Sequence, residues 1–293
     1  MLSIWLNTVR TYAKLIVQKL NKLLVCKVKG DIQFMYNLLF KLVRKIFHIL
    51  CTLIEVDLPV KFLGTPYGGW YLSEKSLPKM PIVLSAGVGE DVSFDIELLN
   101  KYNSKVYLID PTPKSISHID KVIENLGKPK SVEFDVKSGN QPIEAYDLSS
   151  IQSDDFLLIK KALYNEPDLT IKFFKPPNEE WVSHSISNYK NEFSKKSEYI
   201  EVTTTTVEKI MFQNEIDHID LLKLDIEGAE NQVIPNLLKR RIFPTQILVE
   251  FDEIATRFIG PYLKALIIFL KLKLKSYKLV KTDQFPNFLF VKE

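Results

Sequence analysis

Pro81-Ile82-Val83-Leu84-Ser85-Ala86-Gly87-Val88-Gly89-Glu90-Asp91 joins an apolar run to two closely spaced glycines and an acidic pair. The apolar part reads as a buried strand, and Asp91–Tyr102 reads as the helix that follows it. Gly87 and Gly89 let the backbone turn sharply and approach a bulky ligand, while the first N–H groups of the helix face that ligand. Alone, this Gly-x-Gly is a weak sign. Its weight grows because the next apolar run, Lys105–Ile109, ends at Asp110. That is the offset of roughly twenty residues at which a carboxylate accepts both hydroxyls of a ribose. Together these features predict a nucleoside-bearing cofactor held by Gly87, Gly89 and Asp110. The plain alternative is a turn followed by a helix-capping aspartate.

Outward from this stretch, strands and helices alternate. Phe156–Lys160, Thr170–Phe174, Glu198–Thr204, Leu221–Asp225 and Gln246–Phe251 read as strands, with Ser115–Leu126, Thr206–Asn214 and Ala229–Lys239 as helices. Such alternation predicts an α/β fold with a doubly wound, mostly parallel sheet. Upstream, Val60–Leu63 reads as a short strand and Gly64–Trp70 as a turn-rich loop, placed either to cover a cofactor or to anchor Trp70 in the core. Downstream, Tyr262–Leu274 reads as a helix, and Lys278–Thr282 with Asn287–Val291 as an antiparallel hairpin joined by Gln284-Phe285-Pro286. Thr205 and Glu208 stand at capping-box spacing for the helix at Thr206.

The 293 residues, 46% hydrophobic and 26% charged, suit one large globular domain with an appendage. A net charge of +3 is too small to imply a nucleic-acid-binding protein, and none is expected, but the charge is uneven: residues 1–54 hold nine Lys or Arg against the single acid Asp31. Ile4–Leu24 carries apolar residues at helical spacing and Ile32–Leu53 reads as a second helix, giving a basic amphipathic segment over 1–56 before the α/β domain at 57–293. Two destinations are open to it: packing on the domain or a sister chain, or peripheral contact with an anionic membrane through residues 1–54. Lysines interrupt every apolar stretch, so no signal peptide or spanning helix is expected. Cys26 and Cys51 form no disulfide framework or metal knuckle, which suits a reduced, cytoplasmic protein.

The third glycine of a dinucleotide-binding motif is replaced by Val92, which disfavours NAD, and no Lys-Ser or Lys-Thr follows the glycines as in a triphosphate loop. S-adenosylmethionine, a nucleoside cofactor without a pyrophosphate, fits best. Leu221-Leu222-Lys223-Leu224-Asp225-Ile226-Glu227-Gly228-Ala229-Glu230 resembles the signature of FkbM-like methyltransferases, and Ser85–Asp95, Asp110-Pro111-Thr112-Pro113 and Val182-Ser183-His184-Ser185 resemble matching segments in the expected order. The resemblance covers Val60 to the C-terminus. It implies a class I, Rossmann-like methyltransferase fold and transfer of a methyl group from S-adenosylmethionine to a hydroxyl of a sugar, glycan or secondary metabolite. Much of the family carries Asp where this chain has Ser85; Glu90 is the substitute for contact with the methionine end of the cofactor.

Asp225 and Glu227 lie where a strand ends and a helix begins, the sheet edge at which open α/β folds bind ligands. One reading sets a carboxylate there beside the acceptor hydroxyl as orienting group or base; the other makes them helix caps, the role assigned to Glu230. The resemblance reaches His184, open to a role as general base or to a structural hydrogen bond. His48, His118 and His218 read as structural. Glu250 and Asp252 follow the strand from Gln246 and are read either as substrate contacts or as ordinary strand-end acids. No metal spacing is evident, so no metal requirement is expected. Two rivals to a methyltransferase are a degenerate membrane-associated scaffold that keeps the cofactor cleft and an NAD-dependent enzyme. The acceptor and oligomeric state are not encoded in any motif.

Overall fold

The computed structural model describes residues 31–176, 184–191, 194, 196–256, 258–283 and 286–293. The helix expected at Ile4–Leu24, with Cys26, Trp181, Val182, Ser183, Gln284 and Phe285, lies outside them. In chain order the elements are α1 (Asp31–Ile54), β1 (Lys61–Leu63), β2 (Trp70–Leu72), β3 (Ile82–Ala86), α2 (Ser93–Tyr102), β4 (Lys105–Ile109) and α3 (Pro113–Glu124). There follow β5 (Phe156–Ile159), β6 (Ala162–Leu163), β7 (Thr170–Phe174), β8 (Tyr199–Thr205), α4 (Val207–Gln213), β9 (Leu221–Leu224) and α5 (Glu230–Arg240). The chain ends with β10 (Gln246–Glu250), α6 (Gly260–Lys273), β11 (Tyr277–Asp283) and β12 (Asn287–Lys292).

Seven strands form the central sheet in the order β11-β12-β10-β9-β3-β4-β5. The five from β10 to β5 are parallel, while β12 runs antiparallel to both β10 and β11. The expected α/β class and terminal hairpin are therefore present. Alternate residues of each strand feed two cores. Leu84, Ala86, Leu222, Leu224, Ile247 and Val249 pack with α1, α4, α5 and α6. Val83, Val106, Leu108, Leu221 and Leu248 pack with α2, α3 and the β1–β2 hairpin. A sheet covered on both faces explains why these strands read as unbroken apolar runs.

α1 belongs to the first of these cores. Phe47 is buried edge-on against Tyr262, with centroids 5.4 Å apart, and against Phe288 at 6.2 Å, and the neighbouring Cys51 is buried with it. Burial pushes the Cys51 thiol up to about 12. For α1, packing on the domain is the arrangement found. No helix among the described residues is long and apolar enough to cross a membrane.

Three expectations need correction. Thr170–Phe174 and Glu198–Thr204 do not join the parallel sheet: β7 and β8 pair antiparallel and form a separate three-stranded sheet with β6. Their sequences alternate polar and apolar residues, as a sheet with one exposed face requires. Trp70 is the first residue of β2, which pairs with β1 through Leu63↔Trp70, rather than the end of a loop. The cap of α4 is Thr206, whose hydroxyl accepts the Lys209 N–H at 3.1 Å, one residue beyond Thr205.

The amino ends of the parallel strands are closed by matched hydrogen bonds. Gln246, fully buried, accepts the Ser73 N–H at 2.8 Å and donates to the Ser73 carbonyl at 2.9 Å. Asp220 accepts the Ile82 N–H at 2.8 Å, and the Tyr277 hydroxyl donates to the Pro244 carbonyl at 2.6 Å.

Candidate active site

The chain leaves β3 towards β4 on one side and returns to β9 on the other, so the loops after β3 and β9 diverge and open a crevice at the carboxyl edge of the sheet. A cleft of about 420 Å³ occupies that place, large enough for a cofactor-sized ligand. Its floor is the glycine loop. Gly87 has φ +75°, and a Cβ there would fall 1.5 Å from the Asp225 carbonyl oxygen, so only glycine lets β3 and β9 end this close together. The Gly87 carbonyl accepts a hydrogen bond from the buried Lys223 ammonium at 2.7 Å, and Lys223 also stands 3.9 Å from the Asp225 carboxylate.

Asp110 holds the loop from the β4 side. One carboxylate oxygen accepts the N–H groups of Val88 at 2.9 Å and Gly89 at 3.2 Å, and the other accepts the Thr112 N–H and hydroxyl at 2.8 and 2.7 Å. Asp91 ties in the β1–β2 turn by accepting the Thr65 hydroxyl at 2.5 Å. That turn sets Tyr67 in the cleft wall, its ring so close to Gly139 that an added Cβ would meet the ring at 2.3 Å. Glu90 also lines the cleft, its carboxylate 3.3 Å from the Asn140 amide. Ser85 does not: it is fully buried on the opposite side of its strand from Ala86, beside Asp95. Burial pushes the Asp95 carboxyl up to about 6, with the Lys223 ammonium and the Ser85 hydroxyl opposing the rise.

Four carboxylates make up the facing wall: Asp225, Glu227, Glu250 and Asp252. Their proximity follows from strand register. Leu224 of β9 pairs with Val249 of β10, so the next residues, Asp225 and Glu250, emerge side by side. Glu227 sits at φ +54°, a conformation disfavoured for residues with a Cβ, and the Ser185 hydroxyl pins its carbonyl at 2.6 Å. Burial, reinforced by Asp225 and Glu227, pushes the Glu250 carboxyl up to about 8. Asp252 is raised well above the usual carboxylate range, by burial first and then by Glu227 and Glu250. Asp225, Glu227 and Asp252 each place one oxygen within 4.8 Å of the others, a set able to hold a metal ion. Sequence spacing concealed it, since Asp252 comes from the turn after the neighbouring strand β10. Glu230 is buried outside the cleft lining and accepts the Gly228 N–H at 2.8 Å, in keeping with its expected part in closing the start of α5.

The β6–β8 sheet supplies the remaining wall through Ala162, Leu163 and Phe173, followed by His184 and Ile186. His184 stacks on Phe173, with centroids 5.9 Å apart and planes 21° apart.

The chain matches the model of the methyltransferase FkbM domain over residues 82–279. It belongs to the FkbM methyltransferase family. No curated protein and no solved structure matches it. The matched span runs from the start of β3 into β11, so it contains the glycine loop, Asp110, His184 and all four carboxylates of this methyltransferase. Tyr67, which closes the cleft from the β1–β2 turn, and the helix α1 lie outside that span. Membership implies S-adenosylmethionine as the methyl donor. Of the residues singled out in the sequence, the cleft unites Gly87, Gly89, Glu90, Asp110, His184, Asp225 and Glu227, and omits Ser85. The contacts of Lys223 with Gly87, of Asp91 with Thr65 and of Tyr67 with Gly139 carried no sequence signal, because they depend on which elements become neighbours.

Proposed function

We propose that this protein transfers the methyl group of S-adenosylmethionine to a hydroxyl oxygen of a small-molecule or glycan acceptor. The observation that carries the proposal is the division of a single cleft: a glycine loop and Asp110 form one wall, and a row of carboxylates forms the other. The cradle suits the donor, since Gly87 and Gly89 leave backbone uncovered beside a carboxylate at the ribose-binding offset. Asp110 already accepts four donors, filling a carboxylate's usual capacity; the long bond from Gly89 is the one to yield to a ribose hydroxyl. Glu90 is assigned to the methionine end.

When bound, S-adenosylmethionine supplies a methyl group on a sulfonium, which an acceptor oxygen displaces in line. The chain's own task is to hold the acceptor hydroxyl on that line, where alignment is worth more than strong acid or base chemistry. Asp225 and Glu227 orient the hydroxyl, and one of their carboxylates takes its proton as the new O–C bond forms. His184, held flat on Phe173, bounds the acceptor side and is a second candidate for receiving the proton.

Calorimetric titration of the purified protein with S-adenosylmethionine, with its demethylated product and with NAD tests this reading. Saturable binding of the first two alone is the expected result. Binding of NAD alone would replace the methyltransferase reading by a dehydrogenase one, and no binding at all would leave a scaffold.

A further inference from the structure

We infer that Asp225, Glu227 and Asp252 form a binding site for a hard divalent cation of the Mg²⁺, Mn²⁺ or Ca²⁺ class. Three carboxylate oxygens from these residues lie within 4.8 Å of one another. Ligands on opposite sides of an ion bound at about 2.4 Å stand about 4.8 Å apart, so this spacing admits one ion touching all three. Donors that are all oxygen, with no thiolate or imidazole, select this class over zinc or copper.

Proximity of acidic groups alone would not single out a ligand site. The independent observation is the state of Asp252. Its side chain is buried, and its Oδ2 has no contact with solvent and no hydrogen-bond partner. Buried carboxylate oxygens without a donor are strongly disfavoured, and Asp252 lines the cleft together with Asp225 and Glu227. A coordinated cation would satisfy it.

The supporting structure is rigid where it matters. Asp225 is held by its N–H, which donates to the Ala86 carbonyl at 3.0 Å, and Glu227 by the Ser185 bond to its carbonyl. Asp252 begins a short 3-10 turn, Asp252–Ala255, whose Ile254 is buried in the core. The three ligands therefore come from two adjacent strand ends, and the remaining coordination positions open into the cleft, where water or an acceptor oxygen would complete the shell. On the methyl-transfer reading, the ion would hold the acceptor hydroxyl and favour loss of its proton.

The test uses the full-length protein, freed of metal with a chelator and then dialysed. Mn²⁺ binding is followed by the loss of its free-ion paramagnetic resonance signal, with Mg²⁺ and Ca²⁺ as competitors. One saturable site is expected, weakened at least tenfold in Asp252→Asn. Glu253→Gln, a neighbouring acid paired with Lys264 at 2.9 Å, should bind as the wild type does. Circular dichroism confirms that each variant is folded, and Asp225→Asn serves if Asp252→Asn is not. Failure of the wild-type protein to bind Mn²⁺ at millimolar concentration, or equal binding by Asp252→Asn and Asp225→Asn, overturns the inference. Titration of the same preparation with S-adenosylmethionine separates the two proposals: donor binding without Mn²⁺ binding removes the cation site alone, and the reverse removes the methyltransferase reading alone.

Discussion

The two ends of the parallel strands are built on opposite terms. At the amino end, the buried polar groups just described are matched donor to acceptor, as where Gln246 meets both the N–H and the carbonyl of Ser73. At the carboxyl end, four carboxylates crowd one wall, Glu227 keeps a strained backbone and Asp252 leaves an oxygen without a donor. Matched donor–acceptor pairs close one edge of the sheet, while the crowded carboxylates line the cleft at the other. Like charge crowded at one edge is the physical mark of a site, since a structure selected for stability alone would neutralise it.

Breaking the carboxyl end at its tightest point should have the largest effect. Gly87→Ala forces a Cβ into the Asp225 carbonyl and should cost about 4 kcal/mol or more, with loss of S-adenosylmethionine binding. Thermal unfolding and calorimetry measure both, and a variant with wild-type midpoint and affinity would show that β3 and β9 are not locked together there. At the amino end, Gln246→Leu orphans the Ser73 N–H and carbonyl and should cost about 2 kcal/mol. Donor affinity should stay within about twofold, because the lesion lies at the far edge of the sheet. A large loss of affinity with little loss of stability would reverse the roles of the two ends.

The third prediction concerns protons. The Glu250 carboxyl is raised from 4.5 to about 8 in the folded protein, so between those values the native state keeps a proton that the unfolded chain releases. The contribution of this one group is then fully present below pH 4.5 and is lost as pH rises to about 8, by at most about 1.4 kcal/mol per pH unit. Urea unfolding in chelator at several pH values should show this decline, and Glu250→Gln should flatten it. A slope unchanged in that variant would assign the proton to another member of the wall.

Much of this architecture was legible in the sequence, and for a common reason. Ile82–Ala86, Lys105–Ile109 and Leu221–Leu224 are strands buried on both faces, so composition alone marks them, and Gly87 with Asp110 announces the cleft by spacing. The signals ran out where a feature depends on tertiary neighbours. Nothing local distinguishes β7 and β8 as a separate sheet except their polar alternation, and nothing local brings Asp252 to Asp225, because that meeting is set by the β9–β10 register. Ser85 shows the same limit in reverse: it is fully buried beside Asp95 and does not line the cleft.

The burial of Cys51 turns α1 into its own reporter. Buried in the core with Phe47, and with its titration pushed up by that burial, the Cys51 thiol is shielded from alkylating reagents while α1 is docked. Its rate of modification, resolved from other sites by peptide mass, therefore counts the moments at which α1 lifts from the domain, and the dependence of that rate on reagent concentration would separate the frequency of opening from its duration.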